Sequence, residues 1–215
     1  MSELFGTKER IFDAFIEMSS TLGYENVTTR EIAKKVGINA ASIYHHYKSK
    51  DMILEHVYEY YMRHYYDNRI PIETMMKRLE SESAEELIFA LARNFASDDQ
   101  KQHMRMILIT KLIYMRLFQD AAANEMFNEN NDNETKYLTS ILTHGVEVGR
   151  IRPDFDKEAF ASILLGSMVA MGVMAFASPA YTVGLLDHES RMRSMLATLF
   201  ESGLVQRSPD AQASE

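Results

Sequence analysis

Hydrophobic residues recur every three or four positions along most of the chain, which is the period of an α-helix. No stretch alternates apolar and polar residues for long enough to predict a β-strand. The spacing predicts a first helix over residues 8–22, which Gly23 ends, and a long fourth helix that begins after Ser49. It predicts further helices over residues 84–96, 101–118, 134–149, 157–177 and 187–202. The polar run at 128–133 predicts a loop, and the whole pattern indicates an all-α protein.

Residues 27–50, VTTREIAKKVGINAASIYHHYKSK, predict two short helices joined by a tight turn. Thr28 and Glu31 have the spacing of a capping box, in which each side chain accepts a hydrogen bond from a free amide of a new helix. Gly37 ends that helix, because a residue without Cβ can adopt a left-handed conformation. Asn39 can then cap a second helix. So short a connection is typical of the helix-turn-helix, whose second helix enters the major groove of DNA.

The side chains that face away from this motif suit contact with DNA. An arginine near the start of the first helix, Arg30, can form the bidentate contact with guanine. Small residues at the start of the second helix let it approach the bases, and the hydroxyls, amides and cations around them can bind phosphates. The candidate DNA-contacting residues are Thr28, Thr29, Arg30, Asn39, Ala40, Ala41, Ser42, Tyr44, His45, Lys48 and Lys50.

The charge of the chain is unevenly distributed. The net charge is −8, but residues 1–50 carry seven Lys and Arg against six Asp and Glu, and residues 25–50 alone have a net charge of +3. Exposed charges are screened within about 10 Å at ordinary salt. An acidic protein can therefore bind phosphates through a local basic surface.

Composition bounds the location of the protein. There is no Cys, which excludes disulfides and thiolate metal sites and suits a reducing cytoplasm, and the N-terminus has no apolar signal segment. We therefore expect a cytoplasmic protein. Residues 160–177 are long and uncharged enough to span a bilayer, but they are rich in Ala, Gly and Ser and Pro179 follows closely. A helix buried on most sides is the better interpretation, so no membrane contact is expected.

The segments TTREIAKKVGI and ASIYHHYKSKDMIL resemble the DNA-binding domain of the TetR (tetracycline-repressor-like) family of bacterial transcriptional regulators. The resemblance covers residues 8 to about 60, and GRIRPDFDKEAFA at 149–161 resembles the family's lead-in to its eighth helix. Tyr47 stands where the family usually has Phe, a departure that keeps the aromatic ring. The alternative is a purely structural pair of helices in an unrelated protein.

The resemblance implies an all-α fold of about nine helices. An N-terminal three-helix helix-turn-helix domain would bind DNA, and a C-terminal helical bundle would serve ligand binding and dimerisation. The domains are then expected at residues 1–50 and 51–205, with a flexible tail at 206–215.

Small residues at helical spacing in 157–177 predict a close helix–helix contact, and the resemblance implies that two helices of each subunit form a dimer interface. The alternative is an ordinary pair of helices within one chain. Pairing would place two recognition helices about 34–36 Å apart, one turn of DNA. The candidate interface residues are Ser162, Gly166, Ala170, Val173, Met192, Met195, Leu196 and Leu199.

Fifteen Met residues, most of them after residue 50, suggest an adaptable apolar pocket, although Met at helical spacing is also common in plain cores. Family-like helix positions give the candidate ligand-lining residues Met104, Tyr114, Met115, Phe118 and Met171. No histidine pair has convincing metal-ligand spacing, so neither a metal nor a cofactor is expected, only a small-molecule effector.

These features favour a homodimeric repressor that binds an inverted repeat in double-stranded DNA and is released by a small, apolar or aromatic inducer. The alternative is a DNA-binding regulator or activator without a ligand. An enzyme is not expected, because there is no Gly-rich phosphate loop, nucleophile elbow or carboxylate–His cluster.

Overall fold

The computed structural model describes residues 2–93, 99–177 and 194–204. Within these ranges the chain is helical, with no β-strand, so the all-α prediction is confirmed. A further helical segment covers residues 194–201. The named elements are α1 (Ser2–Leu22), the 3₁₀ helix η1 (Tyr24–Asn26), α2 (Thr29–Val36), α3 (Ala40–His46), α4 (Lys50–Asn68), α5 (Ile72–Ser81), α6 (Ala84–Arg93), α7 (Gln100–Arg116), α8 (Ala121–Glu147) and α9 (Lys157–Ala177).

The chain packs as two compact units. The first comprises Met1–Asn68 and Phe95–Asn130, and the second comprises Arg69–Asn94 and Asn131–Glu215. Each unit has its own apolar core. The expected division at residues 50 and 205 concerns function rather than packing and stays a prediction, and the expected flexible tail at 206–215 lies outside the described residues.

In the first unit α1 is central to the core, where Ile11 and Phe15 are fully buried. Helix α7 packs against α1 and is joined to it by charged groups. Arg105 donates hydrogen bonds from Nε to Asp13 Oδ1 at 2.8 Å and from Nη2 to Glu9 Oε1 at 2.7 Å. The helices around the helix-turn-helix therefore include one from much later in the chain.

Residues 128–133 are helical, so the predicted loop there is wrong. Helix α8 runs through them without a break, and Asn128 Nδ2 donates to Asn124 Oδ1 at 2.9 Å on its exposed side. Met126, just before the polar run, is buried in the first core, and Tyr137, just after it, is buried in the second. This burial at both ends outweighs the weak helix propensity of Asn and Asp.

The second unit is closely packed around α5, α8, α9 and residues 194–204. A Cβ at Gly145 would lie 2.6 Å from Ile151 Cδ1, and one at Gly203 would lie 2.3 Å from Phe155 Cδ2, so neither position has room for a side chain. Arg69 Nη1 donates to Glu134 Oε1 at 2.9 Å, where Glu134 is only 6% exposed. Burial raises the pKa of nearby Tyr137 to about 12.

None of the described helices has the length and apolar character needed to cross a membrane. Helix α9 buries Phe160, Ala161 and Leu164 in the second core and exposes Ile163 and Val173. Burial of α9 on most sides stays a prediction, because the protomer by itself exposes one apolar side of this helix.

Candidate DNA-binding surface

The first helix of the motif, α2, begins with the predicted capping box. Glu31 N donates to Thr28 Oγ1 at 3.3 Å, and Thr28 N donates to Glu31 Oε2 at 2.8 Å. The hydrogen bonds from the Thr28 hydroxyl and amide lower the pKa of the Glu31 carboxyl. With only eight residues, α2 depends on such end contacts and on burial of Ile32 and Val36.

The turn after α2 has the predicted left-handed glycine. Gly37 has φ 75° and ψ 35°. Gly37 N donates to Lys34 O at 3.2 Å and Ile38 N donates to Ala33 O at 3.0 Å, which is the Schellman pattern. The Arg10 guanidinium on α1 also donates to Val36 O. The end of α2 is thus fixed both by its own turn and by α1.

The second helix of the motif, α3, begins with the predicted cap and packs on the core through its inward-facing residues. Asn39 Oδ1 accepts a hydrogen bond from Ala41 N at 2.9 Å. Ile43 and Tyr47 face inward and are 0% and 3% exposed. The Tyr47 hydroxyl lies 2.7 Å from Nδ1 of His56 on α4. Burial lowers the pKa of His56, which favours the neutral ring at pH 7 and so an Nδ1 that can accept the bond.

The predicted DNA-contacting residues lie on the outer side of this motif. The Tyr44 hydroxyl is 3.3 Å from Thr29 Oγ1, which places the outer face of α3 beside the first turn of α2. Thr29, Ala40, Ser42 and Lys50 are partly buried. The exposed members of the set are Thr28, Arg30, Asn39, Ala41, Tyr44, His45 and Lys48. The outer side of the motif therefore carries hydroxyls, cations and small residues.

Lys50, the first residue of α4, has contacts that the sequence did not predict. Its Nζ donates to Tyr24 O at 2.9 Å and lies 3.8 Å from the centroid of the Tyr24 ring. The ammonium group is therefore held against the protein, and its contact with a phosphate stays a prediction.

Comparison with known proteins identifies the motif. The model of the bacterial regulatory proteins of the tetR family matches residues 11–57, from α1 through the helix-turn-helix into α4. Residues 11–57 are therefore a DNA-binding domain of the TetR type. TetR-family members are DNA-binding transcription factors rather than enzymes, so this chain is a helix-turn-helix transcriptional regulator.

Relatives extend the similarity beyond this domain to about two thirds of the chain. The probable HTH-type transcriptional regulator YttP of Bacillus subtilis is 23% identical over 64% of this chain and 70% of its own length. The HTH-type transcriptional repressor KstR2 of Mycolicibacterium smegmatis is 24% identical over 67% of this chain and 69% of its own. A putative transcriptional regulator from Saccharomonospora viridis, solved in complex with choline, has the same fold with a TM-score of 0.65 at 20% identity, over 96% of this chain and 100% of that one.

The residues expected to line a ligand site differ in their exposure. Met104, Met115 and Phe118 on or just after α7 are 53%, 44% and 92% exposed, and Tyr114 packs on the first core. The Met171 side chain lies outside the described residues. The expectation that these residues line a ligand site stays a prediction.

A small apolar cavity of about 20 Å³ lies instead in the second unit. It has no polar surface, and its walls come from α5, α6, α8, α9 and the segment 194–201. The lining residues are Met75, Leu79, Leu87, Leu91, Leu138, Ile141, Leu142, Phe160 and Phe200. None of these residues was among those expected at a ligand site, although the four-residue spacing of Met75 and Leu79, and of Leu138 and Leu142, could have indicated inward-facing pairs.

The residues expected at a dimer interface divide into two groups. Leu196 is 2% exposed and belongs to the core of the second unit, and Met192 lies outside the described residues. The other six are exposed: Ser162, Gly166, Ala170, Val173, Met195 and Leu199. A Cβ at Gly166 would meet nothing within 4 Å, so the protomer leaves open space there. In the part of the chain that the structure describes, no group of three His, Asp or Glu side chains could hold a metal ion.

Proposed function

We propose that this regulator is a homodimeric repressor that binds an inverted repeat and leaves it when an apolar effector occupies the second unit. The observation that carries the proposal is the outer face of α3, which exposes Ala41, Tyr44 and His45 on a helix fixed at both ends. A rigid helix with small residues at its start can approach base edges without first paying an ordering cost.

Several neighbouring groups suit the DNA backbone. Thr28 and Thr29 lie at the N-terminus of α2, whose amides favour an anion. Lys48 is an exposed cation just after α3. Arg30 is exposed, and within the described residues the structure gives it no ion pair. Arg30 is therefore our candidate for base recognition, and the others for phosphate contacts that set the register.

We assign the dimer interface to the exposed apolar face of α9 and the segment 194–201. Val173 and Ile163 on α9 are 47% and 46% exposed, and Met195 and Leu199 in the segment 194–201 are 54% and 39% exposed. Exposed apolar side chains grouped in this way are common at subunit interfaces. The open space at Gly166 would let a partner helix approach closely.

Selection of bound fragments from a pool of random double-stranded DNA tests the DNA-binding part. We expect enrichment of an inverted repeat with half-sites about one helical turn apart, because two identical motifs related by a two-fold axis bind it. Enrichment of a single unrepeated half-site would contradict dimeric binding, and no enrichment would contradict sequence recognition.

We assign effector binding to the apolar cavity of the second unit. Its volume of about 20 Å³ is about what a single water molecule needs, whereas ligand pockets occupy roughly 300–1,000 Å³. An effector must therefore widen the cavity, and that displacement gives binding its differential effect on the protein's conformations. The walls carry no carboxylate, which favours an apolar guest over a cation such as the choline bound by the Saccharomonospora viridis protein.

A screen of alkanols, alkylbenzenes and choline tests this assignment through the melting temperature and the affinity for the selected DNA. We expect an apolar compound to raise the melting temperature and weaken DNA binding. Leu142→Phe should abolish both effects by filling the cavity, whereas Leu142→Met, which conserves volume, should keep them. No response to any compound would favour the alternative, a regulator without a ligand.

A further inference from the structure

Two cations share the ring of Tyr24. Tyr24 forms part of η1, is 8% exposed and packs edge-on against Phe15 with ring centroids 6.1 Å apart. Lys50 Nζ lies 3.8 Å from the ring centroid and Arg116 Cζ lies 4.1 Å from it. The Tyr24 hydroxyl donates to Asp51, the residue after Lys50. The ring thus joins the start of α4 to the end of α7.

Arg116 is itself firmly held. Its Nε and Nη2 donate to Asp120 Oδ2 at 2.9 and 2.7 Å, and its Nη1 lies 3.4 Å from Glu25 Oε1. The Tyr58 hydroxyl on α4 donates to the same Asp120 oxygen at 3.0 Å. Burial raises the pKa of Asp120, but the bonds from Arg116 and Tyr58 outweigh it and lower the pKa overall, so the carboxylate stays charged.

The Asp51, Asp120 and Glu25 carboxylates make it possible for two cations to lie on one ring, because they offset the repulsion between them. Lys50 has fewer polar contacts within the protein than Arg116 has. An ammonium group has three N–H donors. The protein accepts one hydrogen bond from Lys50, at Tyr24 O, and offers the ring face beside it. A cation held in this way can still donate to a phosphate.

We propose that Tyr24 is a positioning residue that holds the Lys50 ammonium where it meets the DNA backbone, and that Arg116 keeps Tyr24 in place. The inference rests on the proposed DNA-binding function. A lysine side chain loses much rotational freedom when it is fixed, so fixing Lys50 before DNA arrives lowers the cost of its phosphate contact. A shift of the end of α7 that withdraws Arg116 then weakens DNA binding through a residue that never touches DNA.

The slope of log affinity against log salt concentration tests this, because it reports the number of phosphate contacts. We compare wild type, Lys50→Gln, Arg116→Gln and the double variant on the selected DNA. In the proposed homodimer each substitution removes one phosphate contact from each subunit, which reduces the slope by about 1.8 and makes the affinity lost between 50 and 200 mM salt about 12-fold smaller. We expect this change in both single variants and no further change in the double variant.

Arg105→Gln is the matched control. Arg105 is also on α7, also has a side chain 11% exposed and also pairs with an aspartate, Asp13, but it does not contact Tyr24. Its substitution should leave the salt slope unchanged. A second pair of variants distinguishes the role of the Tyr24 ring from that of its hydroxyl. Tyr24→Phe should keep the wild-type salt slope, and Tyr24→Leu should reproduce the slope of Arg116→Gln.

Three results would overturn the inference: an unchanged slope in Arg116→Gln, an equal change whether or not Lys50 is present, or an unchanged slope in Lys50→Gln. Each of them leaves the proposed function standing if wild type still prefers the selected DNA to random DNA. If wild type shows no such preference, the proposed function itself fails.

Discussion

Two capping boxes in the described part of the chain have nearly identical geometry, one on the candidate DNA-binding surface and one away from it. At α2, Thr28 N and Oγ1 each lie 2.8 Å from Glu31 Oε2, and Glu31 N lies 3.3 Å from Thr28 Oγ1. Before α6, the corresponding distances between Ser83 and Glu86 are 2.9, 2.8 and 3.3 Å. This pair allows the structural and functional roles of Thr28 to be separated.

Thr28→Ala and Ser83→Ala each remove one side-chain cap, which costs about 1 kcal/mol. We expect similar losses in the free energy of unfolding, measured by urea denaturation, with no change in how steeply this free energy depends on urea concentration. A domain that is stable by about 5 kcal/mol or more stays folded after such a loss, so stability alone leaves DNA affinity unaffected. We expect weaker DNA binding only in Thr28→Ala, because its hydroxyl also lies where a phosphate is proposed to bind.

Thr28→Ser should restore both the cap and DNA binding, since the hydroxyl is kept. The reasoning is refuted if Ser83→Ala weakens DNA binding as much as Thr28→Ala does. In that case the effect of Thr28 comes from stability and gives no information on contact with DNA.

Arg30→Ala should weaken binding to the selected site by about 1–3 kcal/mol and relax base preference at one position, whereas Lys48→Ala should weaken binding to all sequences alike. Competition with single-base variants of the site distinguishes the two effects. Equal loss of specificity in both variants would contradict the assigned roles. Gly166→Leu should shift the protein from dimer to monomer in sedimentation analysis, because the new side chain fills space that a partner helix needs. Gly6→Leu, where a Cβ also meets nothing within 4 Å, should leave the dimer intact. A dimer unaffected by Gly166→Leu would contradict the assignment of α9 to the interface. Burial and the charges of neighbouring cations lower the pKa of His56, so the unfolded chain binds more protons than the folded protein below pH 6.5. The free energy of unfolding should therefore fall as the pH drops below that value, and fall less in His56→Gln. Parallel pH profiles of the two proteins would contradict a neutral, buried His56.

The local features of the DNA-binding motif could be predicted because short-range chemistry determines them. The cap at Thr28, the left-handed Gly37 and the cap at Asn39 each involve residues within a few positions of one another. The inward positions of Ile43 and Tyr47 follow from helical spacing and are confirmed. The family resemblance rested on these same residues and is confirmed by the match over residues 11–57.

Long-range contacts could not be predicted in the same way. The bond between Arg105 and Asp13 joins residues 92 positions apart, and nothing in the local sequence of either indicates the other. Lys50 was expected only to contact a phosphate. Tyr24 lies 26 positions earlier and offers it a carbonyl oxygen and a ring that only the fold brings near. The polar run at 128–133 was wrongly expected to be a loop, because local propensity does not record the burial of Met126 and Tyr137 on either side of it.

The central claim is that the outer face of α3 contacts DNA, and a matched pair of substitutions tests it most directly. Ala41 and Ala122 are each exposed, each the second residue of a helix, and each donates its N–H to the capping side chain, at 2.9 Å in both cases. Glutamate is well tolerated at the start of a helix, so neither Ala41→Glu nor Ala122→Glu should impair folding.

The measurement is the affinity of both variants and wild type for the selected DNA at one salt concentration. A carboxylate against the DNA backbone costs several kcal/mol, so Ala41→Glu should lose about 100-fold or more in affinity, while Ala122→Glu stays close to wild type. Unchanged affinity in Ala41→Glu, or equal loss in both variants, would contradict the account.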